Sequence, residues 1–370
     1  MARIAFLHPT YWPEVRRGSE RLIHDLAVGL AGRGHEVTLI TSHPGSPSET
    51  DEDGFHVIRG WRPPYMRPLR WYEDHIANVP TAAYRLWRGD YDVAHAFFPA
   101  DAWAASLARK RLGGPPFVFT IHGIPVRQYL VERRYRMEMQ LGLVQEAAAT
   151  TVLSEAAAEG VRRYLLADPT VVPGGVVCDD FDVEAPEPDP DRKGPVIVCA
   201  ASLRDPRKRA ELLFEAFAKL RETHPDAELQ VVRPRDPLIF TWEAPERPEG
   251  VSWVEASETD ELARVYAAAD ISVLPSVDEA FGLVLVESLA AGTPVVAARS
   301  GACPEIVTDD LIGRLFEPDD ADDLVRAMEE AIALREQPGT ATACRARARE
   351  FDIARALDTF EGIYARALGA

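Results

Sequence analysis

Two glutamates, Glu279 and Glu287, stand eight residues apart in the stretch 278–294, DEAFGLVLVESLAAGTP, on either side of Phe281-Gly282-Leu283. Carboxylates accept hydrogen bonds from hydroxyls, and sugars and riboses are rich in hydroxyls. The backbone N–H groups that open a helix have no acceptor within it and can hold an anion. The stretch therefore offers a seat for a diphosphate, with a carboxylate on each side for hydroxyl groups. Two solvated glutamates on an ordinary helix would carry the same letters, so the neighbouring elements decide between the readings.

Those elements favour a built site. Upstream, ADISVLPS (269–276) is a short apolar run that reads as a buried strand. Downstream, 283–291 reads as a helix, with Gly292 as its stop and Pro294 beyond. Glu279 then lies on the strand-to-helix loop and Glu287 about two turns into the helix. PVVAARSGACPEIV follows as another strand and loop. The whole unit resembles the E-x7-E element of retaining nucleotide-sugar glycosyltransferases of family 4, which have the GT-B fold. The resemblance continues through 294–307 and 313–318.

Other candidates fall at strand ends along the chain. IAFLH opens it, a helix capped by Ser19 runs to about Ala31, and EVTLITS follows, a βαβ start that predicts a parallel sheet. The intervening loop, PTYWPEVRRGSE, lacks G-x-G-x-x-G, which argues against a dinucleotide site. The resembled family has two adjacent glycines in this loop; here Arg17-Gly18 stands there, leaving Gly18 to approach a ligand. FVFTIH (117–122) ends in His122-Gly123 and is similar to the family's Thr-x-His-Gly element. His95, one strand earlier, is the weaker histidine candidate. Arg204, Arg207, Lys208 and Arg209 cluster just ahead of a helix, where cations oppose the macrodipole unless an anion binds. Solvated basic residues would fit Arg207 and Arg209 taken singly equally well. Lys208 matches the lysine of the family's Gly-Arg-Leu…Lys-Gly arrangement, whereas the arginine position reads Leu203, with Arg204 next to it. Arg233-Pro234-Arg235 replaces the family's glycines at a further turn and is the sharpest departure.

Composition bounds the rest. The chain has 370 residues, enough for two domains, and a net charge of -18, which argues against general nucleic-acid binding. Four widely spaced cysteines show no metal-like spacing and suit reduced thiols in a cytoplasmic protein. The start, MARIAFLHPTYWPE, does not read as a signal peptide, and no apolar run is long enough to span a membrane. The proline-rich, charged stretch 184–194 reads as a linker. The expected plan is α/β and GT-B: two Rossmann-like doubly wound domains facing across a cleft. Residues 1–185 form the acceptor-side domain, 186–194 the linker and 195–350 the donor domain. A final helix, 351–370, crosses back onto the first domain.

The resemblance implies a hexosyltransferase that uses a nucleotide-diphosphate sugar of UDP, GDP or ADP type, with no cofactor and no metal. Glu287 would hold ribose hydroxyls, and Glu279 donor-sugar hydroxyls and positive charge at the anomeric carbon. Arg204, Lys208 and the Phe281-Gly282-Leu283 corner would take the diphosphate. His122 would orient the donor sugar's 6-hydroxyl or contact the acceptor. The acceptor is expected to be a sugar, a lipid-linked molecule or a small molecule. The aromatic, basic stretch 61–72, and the run 126–140, which reads as one helix with a basic face (Arg127, Arg133, Arg134 and Arg136), are expected to be solvated surface or to make weak contact with an acceptor or membrane surface. A phosphorylase of the same fold, or a sugar-nucleotide-binding protein with a decayed site, are the alternatives.

Overall fold

The computed structural model describes residues 1–63, 75–184, 186, 192–203, 205–233, 247–256 and 258–369. The chain divides into two compact units, Met1–Gly174 with Ile353–Ala370, and Gly175–Asp352. Each is built on its own sheet.

In the first unit β1 (Arg3–Leu7), α1 (Gly18–Gly32) and β2 (Glu36–His43) form the expected βαβ start, with Ile4 level with Val37. Next come β3 (Ser48–Glu52), β4 (Phe55–Trp61), α2 (Val79–Arg88), β5 (Val93–Ala96) and α3 (Pro99–Leu112). β6 (Phe117–Ile121), α4 (Arg127–Glu132), α5 (Arg134–Glu146), β7 (Ala149–Val152), α6 (Glu155–Leu165) and β8 (Thr170–Val171) complete the run. The strand order is β3-β4-β2-β1-β5-β6-β7-β8, parallel except for the β3–β4 hairpin. β1, β5 and β6 read as unbroken apolar runs because helices cover both faces, and their residues are almost wholly buried.

The second unit holds β9 (Val196–Cys199), α7 (Ala210–Thr223), β10 (Glu228–Val232), β11 (Val251–Val254), α8 (Thr259–Ala268) and β12 (Ile271–Leu274). After these come α9 (Leu283–Ala290), β13 (Val295–Ala298), α10 (Cys303–Ile306), β14 (Gly313–Phe316), α11 (Ala321–Leu334) and α12 (Thr340–Arg349). Its sheet is parallel throughout, in the order β11-β10-β9-β12-β13-β14. The last helix, α13 (Ile353–Ala367), belongs with the first unit and packs on α1. Gly29 of α1 permits the close approach, since a Cβ there would lie 2.5 Å from Leu357 Cδ1. Arg33 closes the edge of this contact with bonds to Asp358 and Glu361.

Three expectations need correction. The division between units falls at Gly174–Gly175, ahead of 186–194. Val176 bridges Asp352, Cys178 Sγ donates to Ala348 O, and Phe181 packs on Tyr266, so this segment is core of the second unit. The run 126–140 is two helices rather than one, because Arg133 is extended (φ -135, ψ 117). Nor is its face uniformly basic: Arg136 is buried, stacks on Tyr129 and pairs with Glu132 at 2.8 Å. Finally, α1 starts at Gly18 with Arg17 as its cap residue, not at Ser19. Most of the stretch 61–72 lies outside the described residues.

Candidate functional site

In the second sheet the strand order reverses between β9 and β12, which pair directly. Ligands of open α/β sheets bind beyond the carboxyl ends of the strands at such a point. One loop leaves each strand there, and the two are stitched together: Val277 N donates to Arg207 O at 3.1 Å. Lys208 Nζ then donates to Glu279 Oε2 at 2.6 Å and to Oε1 at 3.0 Å. Lys208 and Glu279 keep 17% and 18% of their side-chain surface, so a ligand can reach both.

Local sequence aims both groups. Asp205 caps the short 3-10 turn Pro206–Lys208 by accepting from Arg207 N at 3.0 Å, which fixes the base of Lys208. On the other loop Ala302 N donates to Glu279 O at 2.8 Å. Gly301 (φ +56) makes this possible, because a Cβ there would lie 2.4 Å from the Glu279 carbonyl oxygen. Gly282 (φ +95) is the cap residue of α9, in the left-handed region that glycine adopts without strain. Its own Cβ position lies 3.7 Å from Glu279 Cγ. An ammonium, a carboxylate and the N-terminus of α9 thus meet at one corner.

The other residues singled out in the sequence are placed as follows. Glu287 lies inside α9, is buried, and accepts from the Tyr266 hydroxyl at 3.1 Å. The Phe281 ring is core, 5.5 Å edge-on from Phe351, so only its backbone is left for a ligand. Leu283 opens α9 half-buried. Arg204 lies outside the described residues, as do Pro234 and Arg235. The basic cluster is divided rather than shared: Arg207 pairs with Asp205 at 2.6 Å and Arg209 with Asp319 at 3.1 Å. Arg233 leans over Trp253 and approaches Glu255 at 3.6 Å.

In the first unit the reversal falls between β1 and β5. Gly18 is the first residue of α1, next to Arg17. Glu20, two residues on, is wholly buried and accepts from Arg17 at 3.0 Å and from the Thr10 hydroxyl at 2.8 Å. Burial pushes its carboxyl up, but Arg17, the nearby His8 and the Thr10 hydroxyl outweigh it and bring it down to about 2. His122 follows β6, with its ring 5.5 Å from Phe97. Its Nε2 is buried with no partner among the described residues, and burial, helped by His8, pushes the imidazole down to about 3. His95 is structural: it hydrogen-bonds with the Tyr364 hydroxyl at 2.7 Å and the Thr120 hydroxyl at 2.6 Å. Sequence reasoning missed His8 and Glu20. The signal for Glu20 was an acidic residue in the first turn of a helix that begins after Arg17. The four cysteines are free and buried; burial pushes the Cys199 thiol up to about 11 and Cys303 to about 12, so neither is a nucleophile near neutral pH.

Two parallel-stranded units of this order define a protein of GT-B type. Sucrose-phosphate synthase from Thermosynechococcus elongatus superposes over all of both chains with TM-score 0.82 at 21% identity. The Anabaena protein HepE, solved in complex with UDP-glucose, does so with TM-score 0.72 at 17% identity. In sequence, residues 16–180 match the family model Glycosyltransferase Family 4, and 180–351 match Glycosyl transferases group 1. A GDP-mannose-dependent alpha-(1-6)-phosphatidylinositol monomannoside mannosyltransferase of Mycolicibacterium smegmatis is 29% identical, with 86% of each chain covered. The chain belongs to family 4 of the glycosyltransferases, and it is an enzyme of the hexosyltransferase class. Among the described residues no helix is long and apolar enough to cross a membrane.

Proposed function

We propose that the protein transfers a hexosyl group from a nucleoside-diphosphate sugar of UDP, GDP or ADP type to an acceptor, with retention and without a metal. The observation that carries this is the Lys208–Glu279 bond at the N-terminus of α9, beyond the carboxyl ends of β9 and β12. Lys208 and the first N–H groups of α9 would neutralise charge growing on the departing diphosphate. Glu279, released by Lys208, would hold donor-sugar hydroxyls and favour the positive anomeric carbon. Glu287 would take the ribose hydroxyls, and His122, neutral, would hydrogen-bond the 6-hydroxyl of the donor sugar or the acceptor. The bond from the anomeric carbon to the diphosphate breaks, and the acceptor oxygen bonds to the same face. The acceptor's proton passes to the leaving diphosphate.

Two similar proteins support the donor class, one named for GDP-mannose and one solved with UDP-glucose. The former's phosphatidylinositol mannoside acceptor favours a sugar-bearing or lipid-linked acceptor over a free small molecule. Weak contact with a membrane surface belongs to the same proposal, supported by exposed Tyr84 and Trp87 beside Arg85 and Arg88 on α2. A cytoplasmic setting is supported by the four unpaired thiols.

The test is thermal shift against UDP, GDP, ADP and their sugars, since a ligand that binds only the folded state raises its stability. One diphosphate series is expected to stabilise, and Lys208→Ala to weaken it about 10- to 100-fold. Glu279→Gln is expected to lower turnover about 100- to 1,000-fold with folding unchanged. Silence across the whole panel would overturn the donor class. Turnover of a disaccharide with phosphate alone would make the protein a phosphorylase, and binding without any transfer a non-catalytic receptor.

A further inference from the structure

Ser202 and Ser276 carry hydroxyls that have no partner among the described residues. Ser202 stands just beyond β9 and Ser276 just beyond β12, the two strands at which the second sheet reverses. β12 and β9 run side by side with Ile271 level with Ile197 and Ser272 level with Val198. Past the strand ends the two loops stay together, with Val277 N donating to Arg207 O at 3.1 Å. Ser276 is 0% exposed, and the Oγ atoms of both serines are buried without a hydrogen-bond partner among the described residues.

An unpaired buried hydroxyl costs free energy, and a hydroxyl can be lost by one substitution. Two of them at adjacent strand ends therefore call for an external partner. Each serine also begins a loop that ends at the candidate corner: one runs to Lys208, the other to Glu279, and those side chains bond to one another. Ser202 O accepts from Asp205 N at 3.1 Å, so its loop is held in the turn that aims Lys208. The Ser202 backbone is thus engaged, while neither hydroxyl has a partner among the described residues.

We propose that Ser202 and Ser276 donate their hydroxyl protons to phosphate oxygens of the donor's diphosphate and position it beneath Lys208. This deepens the nucleoside-diphosphate reading of the same corner and rests on it. The ammonium alone fixes charge but little direction, because it is a point charge on a flexible stem. Two hydroxyls rooted just beyond neighbouring strands would set the orientation.

Ser288 supplies the contrast. It is also buried, but its hydroxyl donates to Thr293 O at 3.0 Å. Removing it leaves an acceptor stranded, whereas removing the Ser202 or Ser276 hydroxyl relieves an unmet donor.

The experiment compares wild type with Ser202→Ala, Ser276→Ala and Ser288→Ala. Melting is measured without ligand, and titration calorimetry uses UDP, GDP, ADP and inorganic pyrophosphate. For Ser202→Ala and Ser276→Ala the expected result is an unchanged or higher melting temperature. Their Kd for the stabilising diphosphate, and for pyrophosphate, should be about tenfold weaker or more. Ser288→Ala is expected to do the reverse, melting earlier with Kd kept. If wild type binds a diphosphate and both serine variants bind it equally well, the proposal is wrong while the donor class stands. Lower melting of Ser202→Ala and Ser276→Ala with Kd unchanged would make the hydroxyls structural and also overturn it. Loss of nucleoside diphosphate affinity with pyrophosphate affinity kept would move the contact to the nucleoside. Absence of any binding by wild type removes both readings together.

Discussion

Helices α1 and α3 of the first unit begin in the same way and end up in opposite electrostatic states. Each places a carboxylate three positions past its cap residue: Glu20 after Arg17, Asp101 after Phe98. Each carboxylate is almost wholly buried, at 0% and 1% exposure. Yet Glu20 is brought down to about 2, while burial pushes Asp101 up to about 8. Desolvation raises both, and both face a helix N-terminus, which favours the anion. The difference is in what else each meets. Glu20 accepts from the Arg17 guanidinium and the Thr10 hydroxyl and lies 4.0 Å from His8. Asp101 receives one amide bond, from Asn78 Nδ2 at 3.3 Å. Its Oδ2 and the Asn78 Oδ1 are left without partners among the described residues, which suits a protonated carboxyl. Burial therefore does not decide charge here; a full-charge donor against a single amide does.

Breaking the stronger of the two has the largest expected effect. Glu20→Gln is expected to cost about 3 kcal/mol at neutral pH, since the amide gives up the buried charge that Arg17, His8 and Thr10 hold below the usual carboxylate range. The folded pKa of Glu20 is depressed below the unfolded value, so its contribution is present above the usual carboxylate range and fades as pH falls toward about 2. Denaturant melts of wild type and variant should therefore differ at pH 7 and converge in acid. A gap that persists below the folded pKa would show that the pair acts through packing and not charge.

Asp101→Asn should go the other way. The folded pKa of Asp101 is raised, so its burial is free of cost below the unfolded value and destabilises increasingly as pH rises toward about 8. The amide is neutral throughout, so the variant is expected to gain about 2 kcal/mol at pH 7 and to match wild type near pH 4. A loss of stability at pH 7 would mean that Asp101 is ionised, and that the contrast with Glu20 is false.

How much of this could be read from the letters differs by element. The βαβ start and the strand, loop and helix around Gly282 followed from apolar runs, a glycine and a proline, which act locally. β3 did not: SETDE is an exposed edge strand with no apolar alternation, held by its register with β4. The true division at Gly174–Gly175 was hidden because a proline-rich stretch looks like a linker whether or not the preceding residues are packed. Glu20, Asp101, Ser202 and Ser276 were illegible as a group. A single small or acidic residue acquires meaning only from what the fold places around it, and those partners come from other strands and helices.

His122 extends the comparison to a ring whose buried Nε2 has no hydrogen-bond partner among the described residues. Burial, aided by His8, pushes it down to about 3, against the opposing pull of Glu20. At working pH it is a neutral ring with one buried nitrogen free to give or take a hydrogen bond. Transfer activity is therefore expected to show no step from this imidazole between about pH 5.5 and 7.5. His122→Gln, which keeps one donor and one acceptor, should retain more activity than His122→Ala, and the two profiles should run parallel to wild type. Should wild type instead show a step near pH 6.5 that His122→Gln removes, the ring is solvated and titrating. Glu20→Gln bears on the same point: it removes a neighbour that favours imidazolium, so the profile should stay flat even where stability falls.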